Sequence, residues 1–136
     1  MILLPKITKI EGGAATLESP EFSLSNYHTL GFLFENAASA KLTVKVTARA
    51  EDGGSPAGGA AKAVPFLLKP ADADELENIG AEGKTIEGAG AFLAVITDRM
   101  LAHDEYDRAA LSLTTDTGEV GTVYAIQDKP RYRDNE

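Results

Sequence analysis

Residues 41–50 read KLTVKVTARA, and every second residue of this stretch is apolar. Lys, Thr or Arg occupies each position between them. Because side chains alternate between the two faces of a β-strand, this pattern gives one buried face and one solvent face. On a helix the same apolar residues would be scattered around the whole circumference. The stretch therefore predicts a β-strand. Its inward residues are Leu42, Val44, Val46, Ala48 and Ala50.

A glycine-rich segment, DGGSPAGG, follows this strand at residues 52–59. Its four glycines and one proline prevent regular structure. The chain resumes as VPFLLK at residues 64–69, where Pro65 lacks an amide hydrogen and suits an edge or an unpaired position. Residues 41–69 thus predict a hairpin with a long tip, which is either an interaction loop or a tolerated insertion. The candidate contact residues in the tip are Asp52, Gly53, Gly54, Ser55 and Pro56.

Three other segments also have the composition of strands. Residues 22–34, FSLSNYHTLGFLF, predict one long bent strand or two short ones. Residues 2–10 predict an edge strand, because Pro5 cannot donate to a sheet ladder. Residues 91–97, AFLAVIT, are continuously apolar and of strand length, so they predict a strand in the middle of a sheet with both faces covered.

The second half of the chain predicts another hairpin and little helix. Residues 109–114 alternate again, residues 116–118 (DTG) are a turn signal, and residues 119–127 predict the returning strand. Residues 70–78 suit a short helix or a turn, and residues 99–105 suit one helical turn. The fold class expected from these elements is all-β. We expect an antiparallel β-sandwich or jelly-roll-like barrel of seven or eight strands, with one or two short helical turns.

Length and charge restrict the function. The 136 residues suit a single domain, with a possible N-terminal arm at residues 1–10 and a charged C-terminal tail at residues 128–136. The chain has no cysteine, which excludes disulfides, thiolate zinc sites and cysteine nucleophiles. Its net charge of −8 argues against nucleic acid and anionic membranes as partners.

Catalytic motifs are absent from the sequence. The two histidines, His28 and His103, are too few for a structural zinc site, and no Gly-x-Ser-x-Gly elbow or P-loop occurs. Ser25 and His28 are three residues apart, which places them on opposite faces of a strand. We therefore expect a chain that is not an enzyme and that holds no metal or cofactor.

The order of these segments resembles that of a known class of proteins. It comprises KLTVKVTARA, the glycine-rich tip, VPFLLK, AFLAVITDRMLAHDEYDRAALSL, a returning strand with a tyrosine, and a closing PRY at residues 130–132. Over residues 40–132 this order resembles small β-sandwich proteins encoded near the capsid gene of tailed phages and prophages. The resemblance implies a non-enzymatic virion component, such as a head decoration, a connector or a tail-associated subunit. It implies no particular site residues.

The phage interpretation carries expectations about partners and location. We expect a homo-oligomer, contacts with other virion proteins, or both, in the cytoplasm of a bacterial host before assembly into a virion. The candidate contact segments are the arm at residues 1–10, the loop at residues 52–62 and the tail, where Arg131 and Tyr132 are the candidate contact residues.

Two other classes of function remain as alternatives. A carbohydrate- or peptide-binding β-sandwich module would present exposed aromatic residues, but the chain has no tryptophan and only five phenylalanines and four tyrosines. A small hydrolase or isomerase with a barrel fold would need histidines or acids clustered in a cavity. The two histidines offer little for such a site.

Overall fold

The computed structural model describes residues 4–37, 40–49, 61–102 and 106–130. These residues form two antiparallel β-sheets and one short helix, so the predicted all-β sandwich is confirmed. In chain order the elements are β1 (Lys6–Ile10), β2 (Thr16–Glu18), β3 (Phe22–Ser23), β4 (Tyr27–Asn36), β5 (Lys41–Arg49), β6 (Lys62–Val64), β7 (Phe66–Pro70), β8 (Glu77–Ile79), β9 (Lys84–Glu87), β10 (Gly90–Thr97), α1 (Asp98–Ala102), β11 (Arg108–Thr115) and β12 (Val123–Pro130).

Each sheet contains six of the described strands. Sheet A has the order β1-β12-β4-β10-β7-β8. Sheet B is built on the central pair β11 and β5, with β2 and β3 sharing the free side of β11, and β9 and β6 sharing the free side of β5. The strand count exceeds the predicted seven or eight because strands of two to four residues are too short to show a period of two.

The core lies between the two sheets and contains the alternate residues of their long strands. In β5 the four inward positions that the sequence predicted, from Leu42 to Ala48, are all buried. Opposite them, sheet A contributes Phe32, Phe34 and Ile96, each with at most 1% of its surface exposed. Apolar side chains of the two inner faces thus form one continuous cluster, which is the main stabilising contact between the sheets.

Pro65 divides the strand predicted at residues 64–69. Val64 pairs with Val46 in sheet B, so the hairpin predicted over residues 41–69 forms only as far as Val64. Phe66 pairs with Ile79 in sheet A, on the other side of the core. Since proline has no amide hydrogen for a ladder, Pro65 lies where the chain leaves one sheet and joins the other.

The second predicted hairpin is wrong. β11 pairs with β5 in sheet B, whereas β12 pairs with β4 and β1 in sheet A. The turn at Asp116-Thr117-Gly118 exists, and Gly118 has a φ of 79°, but the chain crosses between sheets there. Alternation predicts which face of a strand is buried and does not identify its neighbour in the sheet. The segment at residues 22–34 also passes from one sheet to the other. It forms the short strand β3 in sheet B and the long strand β4 in sheet A.

The other predicted elements are mostly confirmed. β1 is an edge strand that begins after Pro5, and β10 lies in the middle of sheet A between β4 and β7. The predicted cover on both faces of β10 is wrong, because its outward side chains are partly exposed and sheet B covers the inner face only. The helical turn forms as α1, where the Thr97 hydroxyl accepts a hydrogen bond from the Met100 amide at 3.2 Å. Of residues 70–78, those between β7 and β8 form a turn, and none of residues 70–78 is helical.

Asp116 ties the crossover after β11 to the start of β5. Its carboxylate accepts a hydrogen bond from the Lys41 amide at 2.8 Å, and its own amide donates to the Lys41 carbonyl at 3.1 Å. The Lys41 amide lowers the pKa of Asp116 below its ordinary value, with smaller contributions from Thr117 and the Lys41 charge. The ionised carboxylate therefore stabilises this connection.

We expect Asp116→Asn to reduce the fall in the free energy of unfolding as the pH is lowered into the acidic range. Because the pKa of Asp116 is lower in the folded chain, its contribution is present above the unfolded pKa and is lost as the pH falls through the folded pKa. Urea denaturation from neutral to acidic pH should therefore show a smaller loss of stability for the variant than for the parent. Parallel profiles would contradict the role of the Asp116 carboxylate.

Candidate functional site

The contact residues predicted from the sequence are not among those that the structure describes. The loop residues Asp52 to Pro56 lie outside the described ranges, as do Arg131 and Tyr132 of the tail. The predicted arm is described from Leu4 onwards, and its residues Lys6–Ile10 pair with β12 as strand β1. The surface of the two sheets therefore supplies the candidate site.

The outward surfaces of the two sheets differ in chemistry. On sheet B, threonine lies opposite threonine, and Lys45 lies opposite Ser112, in the pairing of β5 with β11. Among the described residues, the only apolar outward side chains in the ladders of this sheet are alanines. Such a polar surface is the ordinary solvent face of an antiparallel sheet.

The outward surface of sheet A, here called the A face, is apolar. The pairing of its strands places one residue from each of five neighbouring strands in a single line, here called the apolar row. From β1 to β7 the row consists of Ile7, Ile126, Gly31, Val95 and Leu67. A charged residue is absent from all five positions of the row.

A second line of outward residues, here called the mixed row, lies beside the apolar row. From β1 to β7 it consists of Lys9, Tyr124, Leu33, Leu93 and Lys69. Its three central residues are apolar or aromatic, and a lysine stands at each end. Together the two rows form an apolar centre with a partly charged rim, the arrangement common in protein–protein interfaces.

The A face is partly open to solvent. Ile7 is 65% exposed and Tyr124 is 40% exposed, and the larger side chains between them are partly exposed. Sheet B covers the inner side of sheet A, and α1 follows the end of β10 with Leu101 in the core. The described part of the chain therefore provides no further strand or helix to cover the A face.

Gly31 lies at the centre of the apolar row. A Cβ built on it would lie 3.2 Å from Cδ1 of Leu93, which is tighter than an ordinary van der Waals contact. The Leu93 side chain thus leans over the glycine and occupies the space that a larger residue would need. The apolar row therefore has no side chain of its own at β4, and Leu93 of the mixed row covers that position.

A shallow depression lies beside the mixed row. It has a volume of about 380 Å³ and is bounded by Leu33, Glu35, Ala91 and Tyr124. Glu35, Thr122 and the Tyr124 hydroxyl contribute polar groups to its lining, and Leu33, Phe34 and Ala91 contribute apolar surface. The depression is therefore of mixed polarity.

The rim charges of the A face differ in their contacts. The Lys69 ammonium donates to the Ala73 carbonyl at 2.7 Å, so it secures the turn that follows β7. The Lys9 ammonium lies 3.7 Å from the Glu11 carboxylate, and the Lys9 side chain is 57% exposed. Asp128 accepts a hydrogen bond from the Lys129 amide at 2.7 Å. Lys9 and Asp128 lie on neighbouring strands at opposite margins of the apolar row.

A histidine–carboxylate contact lies at the end of sheet A. Nδ1 of His28 is 3.0 Å from Oδ2 of Asp98, at the start of α1. Nearby in sequence, the Ser23 hydroxyl accepts a hydrogen bond from the Ser25 amide. His28 therefore makes an ordinary hydrogen bond that connects β4 to α1, and His103 lies outside the described residues.

The described residues contain neither a cluster of metal ligands nor a membrane-spanning helix. Within the described ranges, no group of three or more His, Cys, Asp or Glu residues is placed to hold a metal ion. The one helix among them, α1, is five residues long, and no described helix has the length and apolarity required to cross a bilayer.

The A face was not identified from the sequence, although a signal for it exists. Residues 91–97 and residues 30–34 are apolar at both parities, which predicts cover on both faces of the strand. Sheet B provides cover for one face only. Apolar sequence at both parities in adjacent strands, together with little predicted helix to cover a second face, therefore indicates an exposed apolar surface.

Comparisons with known proteins give one structural likeness. No protein-family model and no curated protein matches the chain. The fold is similar to that in the crystal structure of SPBc2 prophage-derived protein YomS, with a TM-score of 0.51 and 14% sequence identity. The match covers 94% of this chain and 98% of that chain. At this identity the likeness concerns the fold alone.

Proposed function

We propose that this chain is a non-enzymatic structural or assembly protein of a phage or prophage virion, and that it acts through subunit contacts made by the A face. The observation that carries the proposal is the contrast between the polar outward surface of sheet B and the apolar outward surface of sheet A. A fold like that of a prophage-derived protein supports the phage context.

The chemistry of the A face favours a protein as its partner. Its centre is aliphatic, and Tyr124 is the one aromatic residue in the two rows. Carbohydrate-binding surfaces stack sugars on exposed aromatic rings, which the two rows do not provide beyond Tyr124. An aliphatic centre with lysines at both ends resembles instead the buried core and polar rim of a protein interface.

The proposal is tested on purified particles. Particles released from a lysogen that carries the gene would be separated on a density gradient and analysed by quantitative mass spectrometry. We expect the chain to co-purify with the capsid and tail proteins in a fixed ratio. Its absence from both particles and assembly intermediates, while it is present in the lysate, would overturn the proposal.

A further inference from the structure

We infer that the A face binds the A face of a second copy of this chain, and that the two copies are related by a two-fold axis lying along the apolar row. The inference rests on the proposed function, because it names the partner of the same surface. It follows from three properties of the described residues: the balance of charge on the A face, the order of its rows and its size.

The A face lacks the excess negative charge of the chain as a whole. The chain carries a net charge of −8, which would oppose contact between two copies over most of their surface. The strand residues of the A face comprise two lysines, Lys9 and Lys69, and two carboxylates, Glu35 and Asp128. Two copies can therefore approach through this face without net repulsion between these charges.

The order of the rows selects one arrangement of the two copies. If the two-fold axis ran along the strands through β4, the mixed row would lie over itself in reverse, with Lys9 of one copy opposite Lys69 of the other. Like charges would then meet at both ends of the contact. Such an arrangement is disfavoured, because opposed like charges repel.

An axis along the apolar row gives complementary contacts. The apolar row of one copy then packs on that of the other, and the mixed row lies over the next row of outward residues, which includes Asp128 and Thr29. Tyr124 of one copy faces Asp128 of the second, and Lys9 lies one strand away, about 4.8 Å to the side. On each side of the two-fold axis, Lys9 and the Tyr124 hydroxyl of one copy therefore lie next to the Asp128 carboxylate of the other copy.

The size of the A face is sufficient for a stable dimer. The two rows cross five strands about 4.8 Å apart, and the rows beside them, about 6.8 Å away, cross only the central strands, which gives a flat area of roughly 500 Å². Side chains make the accessible area larger than the flat area, so it approaches the roughly 800 Å² per partner of standard interfaces.

The oligomeric state of the purified chain tests the inference. We expect sedimentation and light scattering to give twice the chain mass at micromolar concentrations. Val95→Lys places a charge at the centre of the contact in both copies and should raise the dimer Kd at least about a hundredfold. The control is Thr114→Lys, at an exposed position on the outward surface of sheet B, which should leave the Kd unchanged. A parent chain that stays monomeric at hundreds of micromolar would overturn the inference.

A charge exchange tests the arrangement without altering the centre of the face. Lys9→Glu and Asp128→Lys should each raise the dimer Kd about tenfold. The first variant places two carboxylates together on each side of the two-fold axis, and the second places two ammonium groups together there. The double variant should return the Kd to within about threefold of the parent. A double variant whose dimer Kd shows the two single effects added in free energy, with no recovery, would overturn the two-fold arrangement. This charge exchange also tests association through the A face if Val95→Lys fails to fold.

The inference and the proposed function can fail separately. A chain that is monomeric in solution but present in purified particles would refute self-association through the A face and leave the virion role standing. A dimer sensitive to Val95→Lys, in a chain absent from particles and assembly intermediates, would support self-association and refute the virion role. The two measurements therefore give independent answers.

Discussion

Replacement of Phe32 by alanine is expected to lower the free energy of unfolding by about 3 to 5 kcal/mol. Phe32 is completely buried between the sheets, and its ring packs edge-to-face on Phe22 with 5.9 Å between the ring centroids. The truncation removes that contact between β4 in sheet A and β3 in sheet B. Because the surrounding strands are held by their ladders, they can collapse only partly into the cavity.

The neighbouring residue provides a matched control. Leu33 follows Phe32 in the same strand but points to the A face, where it is partly exposed. Leu33→Ala should lower the free energy of unfolding by less than about 1.5 kcal/mol. Urea denaturation at a concentration that keeps the chain monomeric measures both variants without a contribution from self-association. Equal losses for the two variants would contradict the assignment of inner and outer faces.

Local patterns in the sequence predict the faces of individual strands well. The alternation in KLTVKVTARA identified every inward residue of β5, and the missing amide of Pro65 predicted an unpaired position. Both features depend on the period of a strand and on the chemistry of one residue. Neither needs information from distant parts of the chain, which explains why they are predictable.

The pairing of strands could not be predicted in the same way. Along β11 and β12, buried and outward residues alternate, and the two strands flank a turn, as the strands of a hairpin do. They nevertheless belong to different sheets. Their neighbours, β5 and β4, lie far away along the chain, and any strand with one buried face satisfies the local pattern. Only the complete packing of both sheets determines which edges meet.

The A face could be recognised only from the register of five paired strands. Leu33, Leu93 and Tyr124 are separated by up to 91 positions in the sequence, and the sheet places them in one row. In the sequence they are ordinary strand residues that could belong to the core. Their apolar character predicts a strand that is covered on both faces, and the structure adds that sheet B covers the opposite face only.

Asn36 holds two loops together at the end of β4. Its side-chain amide nitrogen donates to the Ala40 carbonyl and to the Gly88 carbonyl, each at 2.9 Å, and the residue is buried. Both partners are carbonyl oxygens, which accept and cannot donate, so the amide nitrogen must face them. The two bonds connect the turn before β5 to the turn before β10, and thus link a strand of sheet B with one of sheet A.

Asn36→Asp is expected to lower the free energy of unfolding by at least about 3 kcal/mol at neutral pH. The introduced carboxylate would face two carbonyl oxygens in a buried site, so both hydrogen bonds are lost and like partial charges oppose one another. Asn78→Asp, at an exposed position of β8, is the matched control and should change stability by less than about 0.5 kcal/mol.

The pH dependence separates this electrostatic effect from a loss of shape. A protonated carboxyl can donate one hydrogen bond, so the deficit of Asn36→Asp relative to Asn78→Asp should shrink as the pH falls. Chemical denaturation of both variants between neutral and acidic pH measures that difference, and the lowered pKa of Asp116 affects both variants equally. A deficit that stays constant with pH would show that Asn36 contributes packing alone. A deficit that shrinks would show that the cost arises from the carboxylate charge facing the two carbonyl oxygens.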